Sequence, residues 1–366
     1  MDSSHEWLDP YTQLDAELRG LEQYLSPTVI ERNRIVQVVS DVSMLLGNIA
    51  PHPPQVTGSW RTGFAMGHSD LDFILPVPDS ARSAEKIRKP SPTRPQVMGL
   101  HRNFMYSVKD TLRQSPLFQD RVDLFGKRSS VLTAIHAETG LRVHFYCGEG
   151  LPSSIEYIQD YRAEYPALRP LYMVIRLLLE TRDLFGNHKA SIAPDTLVML
   201  LVAFLKINHG RFLRSKNLGE QLLAVLEFYG SGVDISKTGV SVDPPGLFDA
   251  HTLKSVIKKY NSKDLPAYLR GQRALISLKR TATANGNIPA ALRLCLQDPA
   301  NYMNDLGRTC SRTQELQSAF LHARQSIIKS IDVWRRPDQG NVACSLLASG
   351  VHANFEEFNE VCIRSR

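Results

Sequence analysis

The chain has 366 residues, 43% hydrophobic and 22% charged, which is enough for two ordinary globular domains, each with its own apolar core. Forty-three Lys and Arg against 37 Asp and Glu give a net charge of +6, so an anionic partner is favoured over a cationic one. Cys147, Cys295, Cys310, Cys344 and Cys362 form no Cys-x-x-Cys pair or His-Cys spacing, no apolar run reaches membrane length, and no arginine precedes Arg19. These features argue against a zinc site, a disulfide framework, a membrane span, a signal peptide and a mitochondrial presequence, and predict a reducing compartment, cytoplasmic or nuclear.

Leu14, Leu18, Leu21 and Leu25 recur at helical spacing and predict a helix over 10–25, ended by Ser26-Pro27. Ser26 is placed to cap a second helix with Pro27 in its first turn. Ile35, Val38, Val39, Val42, Leu45 and Leu46 give that helix its apolar stripe, and Gly47 is placed to end it. These N-terminal helices, residues 1–50, are expected to pack on a helical central domain. Pro51-His52-Pro53-Pro54 leads stiffly into a short strand, Gln55 to Thr57, and a second strand is expected from Asp70 to Val77. Residues 76–95 are rich in Pro, Ser and Arg and carry Arg82, Lys86, Arg88, Lys89 and Arg94; they read as a flexible basic loop, with phosphate contact as the sharper alternative.

A helix over 99–114 (Phe104, Val108, Leu112) leads to two strand-like runs, Ser130 to Ala137 and Leu141 to Cys147, joined at Glu138-Thr139-Gly140. They complete a small mixed sheet within 51–150. After Gly150 the pattern is helical almost throughout, over roughly 155–163, 167–184, 194–208, 217–229, 250–260, 266–282, 289–297 and 311–334. This gives a second domain over 151–336 and leaves 337–366 as an unassigned tail.

The chemistry is densest between Gly58 and Asp72. On a strand, Asp70 and Asp72 leave one face while Leu71 and Phe73 enter a core, so two carboxylates stand together as the hard oxygen ligands that Mg²⁺ requires. Upstream, Gly58 lets backbone N–H groups come close to a triphosphate, and Ser59 adds a hydroxyl donor. A bare Asp-x-Asp is common and on its own reads as a solvated strand end. Gly58-Ser59, then Thr62-Gly63, then Ser69-Asp70-Leu71-Asp72 together resemble the signature of the DNA polymerase β-like nucleotidyltransferases. The pattern is most similar to the branch of poly(A) and poly(U) RNA polymerases that add nucleotides to RNA 3′ ends without a template.

The second half resembles the same family. Arg169-Pro170-Leu171, Leu197 to Leu201, and Asn217 to Leu223 ending at Phe228-Tyr229-Gly230 look like its central domain, and Asp298-Pro299 with Asn304 to Arg308 looks like its nucleotide-recognition loop. The resemblance implies an α+β fold: a nucleotidyltransferase palm with a small mixed sheet, followed by a mainly helical central domain. It implies transfer of a nucleoside monophosphate from an NTP to an RNA 3′-OH with Mg²⁺ or Mn²⁺. Asp70 and Asp72 would be catalytic metal ligands, and Gly58, Ser59, Arg176 and Asn304 would lie on the nucleotide. By their charge, the Lys and Arg of the basic loop and Lys206, Arg211, Arg214 and Lys216 are the candidate contacts for RNA phosphate. A protein partner or a separate RNA-binding subunit stays open, and the lack of a long apolar run predicts no membrane partner.

Three positions depart from the family pattern. His144 stands where members carry a third carboxylate, which removes a charge and offers instead a nitrogen ligand suited to Mn²⁺, or a general base. Arg176 or Glu180 stands near the usual triphosphate lysine, and Ala193-Pro194-Asp195 replaces a Ser-Ser-Tyr segment whose aromatic would stack on the base. Asp123, in Arg121 to Phe125, precedes the hairpin and is given no role. Two readings stay open: an RNA 3′-terminal nucleotidyltransferase with His144 as third member of its catalytic set, and a catalytically impaired scaffold that binds RNA or protein.

Overall fold

The structure is a computed structural model describing residues 9–77, 94–126, 131–148, 150–151, 154–186, 190–212, 217–261, 264–334 and 345–351. Arg82, Lys86, Arg88 and Lys89 of the basic loop, Arg214, Lys216 and most of the 337–366 tail lie outside the described residues. The chain divides into two compact units, one of them Ser26–Gln159 and the other joining the first helix to the chain from Asp160 onward.

The sheet unit begins with α2 (Val29–Leu46). Its cap is Thr28, not the expected Ser26: the Thr28 hydroxyl accepts from the Glu31 N–H while the Glu31 carboxylate accepts from the Thr28 N–H. Gly47 follows the helix but keeps right-handed geometry. Then come β1 (Gln55–Thr57), α3 (Gly58–Thr62), β2 (Leu71–Pro76), α4 (Arg94–Gln114), β3 (Asp123–Phe125), β4 (Val131–Ile135) and β5 (Arg142–Gly148). The five strands lie in the order β1-β2-β5-β4-β3, with β2 and β5 parallel and the other neighbours antiparallel. One face is apolar: Leu71, Phe73, Leu75, Leu132, Ala134, Val143 and Phe145 are buried against Met105, Val108 and Leu112 of α4 and Ile35, Val38, Val42 and Leu46 of α2. Each such large side chain contributes about 1.5–3 kcal/mol over its exposed state. The stripe of α2 therefore belongs to the sheet core, where the sequence pattern had assigned it to the helical domain.

The helical unit contains α1 (Pro10–Leu25) and, from the end of α5 (Ser154–Glu164), α6 (Leu168–Glu180), α7 (Pro194–Ile207), α8 (His209–Phe212) and α9 (Leu218–Glu227). The next segment holds β6 (Gly239–Val242), β7 (Pro245–Phe248), α10 (Ala250–Ile257), α11 (Ala267–Ala284), α12 (Ile288–Leu292) and β8 (Leu296–Gln297). The last described elements are α13 (Thr313–Trp334) and α14 (Leu346–Val351). In α7 every residue from Thr196 to Leu205 is buried, the signature of a helix surrounded by others. The Tyr229 hydroxyl, pushed up by complete burial, donates to the Leu200 carbonyl at 2.7 Å. Strands β7-β6-β8 form a second, three-stranded sheet that the helical reading passed over, and the segment expected as helix 289–297 ends in one of them.

α1 buries its leucine stripe and turns three carboxylates outward to the rest of its unit. Asp15 accepts from the Leu218 N–H at the start of α9, and Glu22 pairs with Arg169 of α6 at 2.6 Å. Glu17 accepts from the Leu346 and Leu347 N–H groups and the Ser345 hydroxyl. At the other end of α14, Arg182 donates to the carbonyls of Gly350 and Val351. α14 is thus held by an acid at its amino end and a cation at its carboxyl end, the favourable sense for the helix dipole.

Candidate active site

The site is built where β1 runs into α3 and where β2 and β5 lie side by side. Gly58 follows β1 with φ of +63°, a left-handed conformation that favours glycine. A Cβ built on Gly58 would overlap the Asp72 carboxylate, so only glycine allows that carboxylate to lie against the turn. The Ser59 carbonyl accepts from the Gly63, Phe64 and Ala65 N–H groups, and the Thr62 hydroxyl donates to the Gly58 carbonyl at 3.1 Å. The loop carrying Asp70 is braced on the same helix: Trp60 Nε1 donates to the Ser69 carbonyl, and the buried Ser69 hydroxyl accepts from the Met66 N–H. Thr62 and Ser69 of the signature therefore hold the turn and the loop, while Asp70 sits one residue before β2 and Asp72 within it.

Strand register then sets a row across the sheet. Thr57 pairs with Asp72, Asp72 with His144, His144 with Thr133, and Thr133 with Asp123. Paired residues share a face, so this row lies opposite the apolar core face. His144 Nε2 is 3.1 Å from Asp70 Oδ2, and His144 Nδ1 is 2.9 Å from the Thr133 hydroxyl. The His144 side chain is 20% exposed and that of Asp70 41%, so the pair sits in a half-open position. Asp123 shares the row, but Thr133 stands between it and His144, and it pairs with Arg121 at 2.9 Å.

Gly58, Ser59, Asp70, Asp72 and His144 thus come together in the sheet unit. Arg176 and Asn304 lie in the helical unit and are engaged there. Arg176, nearly buried on α6, donates Nε to Glu180 at 2.8 Å and lies 5.0 Å over the Phe185 ring. Burial lowers the proton affinity of its guanidinium, but the Glu180 charge and the neighbouring Tyr172 outweigh burial and leave it raised. The Asn304 side chain donates to Asp298 at 2.9 Å, closing the loop between β8 and the short helix at Leu306–Thr309. Beside it, Asp305 accepts from the Leu296 and Gly307 N–H groups, and burial pushes its carboxyl up. Lys206 lies 3.7 Å from Asp243 and over the Tyr161 ring, and Arg211 is exposed at the end of α8. Thr133 is the member that sequence reasoning missed.

The donor set fits a hard divalent cation. Two carboxylates two residues apart, with a glycine turn pressed against one of them, supply oxygen ligands and leave the rest of an octahedral shell to phosphate oxygens and water. Among the described residues, no three His, Cys, Asp or Glu side chains converge into a metal site of their own. Among them, too, no helix is long and apolar enough to cross a membrane.

No family model matches the chain. It is 21% identical over 318 residues to poly(A) RNA polymerase protein 2 of Saccharomyces cerevisiae, covering 85% of this chain and 47% of that protein. It is 22% identical over 302 residues to poly(A) RNA polymerase cid14 of Schizosaccharomyces pombe, covering 81% of this chain and 38% of that protein. The chain therefore spans less than half the length of these relatives. Among solved structures, it superposes on the polymerase core of TRAMP, an RNA surveillance complex, with a TM-score of 0.71 at 18% identity over 96% of this chain and 97% of that one. The Cid1 poly(U) polymerase with MgGTP bound gives a TM-score of 0.60 at 11% identity over 88% and 98%. The resemblance read from the Gly58 to Asp72 signature agrees with both comparisons: the chain is related in sequence to the poly(A) RNA polymerases and has the fold of the polymerase-like nucleotidyltransferases.

Proposed function

We propose that the protein is a template-independent RNA 3′-terminal nucleotidyltransferase, transferring a nucleoside monophosphate from an NTP to an RNA 3′-OH. The observation that carries this reading is the left-handed Gly58 turn lying against the Asp72 carboxylate, with Asp70 two residues away, because a scaffold for RNA or protein has no use for a glycine kept small beside a carboxylate. A bound Mg²⁺ or Mn²⁺ would supply charge neutralisation for the triphosphate and the reacting oxygens. Asp70 and Asp72 would hold it. The backbone after Gly58 and the Ser59 hydroxyl would bind triphosphate oxygens, and His144 would orient Asp70. The substrates would be an NTP and an RNA 3′ end, with a protein partner or RNA-binding subunit contributing to RNA choice.

One observation favours the alternative, a catalytically impaired scaffold for RNA or protein. Both His144 nitrogens are hydrogen-bonded, so the position of the third acid provides neither a third carboxylate nor an uncommitted base. Labelled oligo(A) incubated with purified protein, each NTP singly, and Mg²⁺ or Mn²⁺ separates the two. Extension that is lost in Asp70→Ala and Asp72→Ala supports the transferase; no extension under any of these conditions selects the scaffold.

A further inference from the structure

An ionised carboxylate has no proton to give, so the 3.1 Å contact between His144 Nε2 and Asp70 Oδ2 needs the ring to carry a proton on Nε2. In the neutral ring this leaves a lone pair on Nδ1, and the group 2.9 Å away is the Thr133 hydroxyl, which can turn its proton toward it. The opposite tautomer would aim the Nε2 lone pair at the Asp70 carboxylate and repel it. The Thr133 hydroxyl can donate to a bare Nδ1 or accept from a protonated one, so what it sets is the position of the ring. Thr133 sits directly across from His144 on β4, and β4 is itself paired on its far side with β3 through Thr133 and Asp123. Its hydroxyl is therefore fixed by an inner strand and not by a loop.

We propose that Thr133 is a positioning residue: its hydroxyl hydrogen-bonds Nδ1 of His144 and so holds the ring in the orientation whose Nε2 meets the Asp70 carboxylate and keeps it in place as a metal ligand. The inference rests on the reading of Asp70 and Asp72 as metal-binding residues. It gives His144 a role that a third carboxylate could not fill. Metal-binding histidines are commonly oriented by a carboxylate behind them. Here the order is reversed, with the histidine behind the carboxylate and the threonine behind the histidine.

The experiment uses the full chain with ¹⁵N-labelled histidine, the His144 ring being assigned by its loss in His144→Gln. Thr133→Ser keeps the hydroxyl, Thr133→Val keeps the shape without it, and Thr133→Ala is the second hydroxyl-free variant should Thr133→Val fail to fold.

Mn²⁺ alone then tests the positioning. It should broaden the His144 ring signals, with half-broadening at about 10–100-fold higher concentration in Thr133→Val and restored in Thr133→Ser. No broadening in the wild type, or an unchanged midpoint in a folded Thr133→Val or Thr133→Ala, overturns the positioning role. This readout does not depend on turnover. A wild type that extends no RNA removes the transferase reading while the Mn²⁺ result still decides the role of Thr133.

Discussion

The polar groups of the two units are used differently. In the sheet unit, Asp70, His144 and Thr133 bond to one another, side chain to side chain, in a half-open position on the face away from the core. In the helical unit, the buried Gln297 of β8 and Asp305 beside it serve backbone instead. Gln297 spans the Tyr268 and Tyr302 carbonyls, Asp305 takes the Leu296 and Gly307 N–H groups, and Asn304 steadies Asp298. The difference is instructive because a group that satisfies buried backbone cannot be removed without loss of stability. A group whose partners are half-open side chains can be removed with the fold kept and the chemistry changed.

The contrast can be broken at four places. The largest effect is expected at Asp70: Asp70→Ala should reduce RNA extension to background while the thermal midpoint stays near wild type, since surface changes usually stay within about 0.5 kcal/mol. Extension surviving this change would remove the sheet unit as the chemical centre. Next, Arg176→Ala should destabilise the protein by about 1.5–3 kcal/mol, read from urea midpoints, because it strips Glu180 of a charged hydrogen bond inside the helical unit. A raised KM for NTP with no change in stability would instead place Arg176 on the triphosphate and dissolve the contrast. His144→Ala should lower extension by about 10–100-fold, the usual cost of an orienting partner. A loss beyond about 10⁴-fold would exceed what a general base normally supplies and make His144 more than a positioning group.

The smallest effect concerns Asp249, which caps α10 and accepts from the Thr252 and His251 N–H groups. The Thr252 N–H holds its carboxyl below the ordinary range, opposed by burial and helped by the His251 N–H. A depressed folded value means the stabilisation is present above the unfolded value of about 3.9 and is lost as pH falls through the folded one. Asp249→Ala should therefore cost about 0.5–2 kcal/mol near pH 7, and the difference from wild type should shrink below about pH 4. A difference that does not change with pH would assign the loss to packing instead.

Much of the sheet unit can be read directly from the sequence, because alternation and one short signature dictate it. Gly58, Asp70 and Asp72 announce a turn and a carboxylate pair whatever the tertiary context. Thr133 does not, because its place depends on register. A one-residue slip at Glu138-Thr139-Gly140 would set Ala134, not Thr133, across from His144 and turn every side chain of β4 to the other face. In the helical unit, the run Gly239-Val240-Ser241-Val242 before Asp243-Pro244-Pro245-Gly246 carries a strand-and-turn signal that surrounding helices mask. The partnership of Arg176 with Glu180 was open to a spacing argument at i, i+4, but the burial that makes it structural arises only when Tyr172 and Phe185 close around it.

The attachment of α1 has a consequence for how the protein is made. Its acids reach Leu218, Arg169 and the start of α14, all of which leave the ribosome long after α1 itself. The sheet unit lies between these partners in sequence and holds its own core, so it can close while α1 waits. The helical unit, although rich in local helices, is completed only by contacts of long sequence separation, the last of them to Glu17 and Arg182 once residue 351 has emerged. Before α6 and α9 have emerged, the leucine stripe of α1 has none of its main partners within the helical unit, and that early nascent chain is the form expected to depend most on a chaperone.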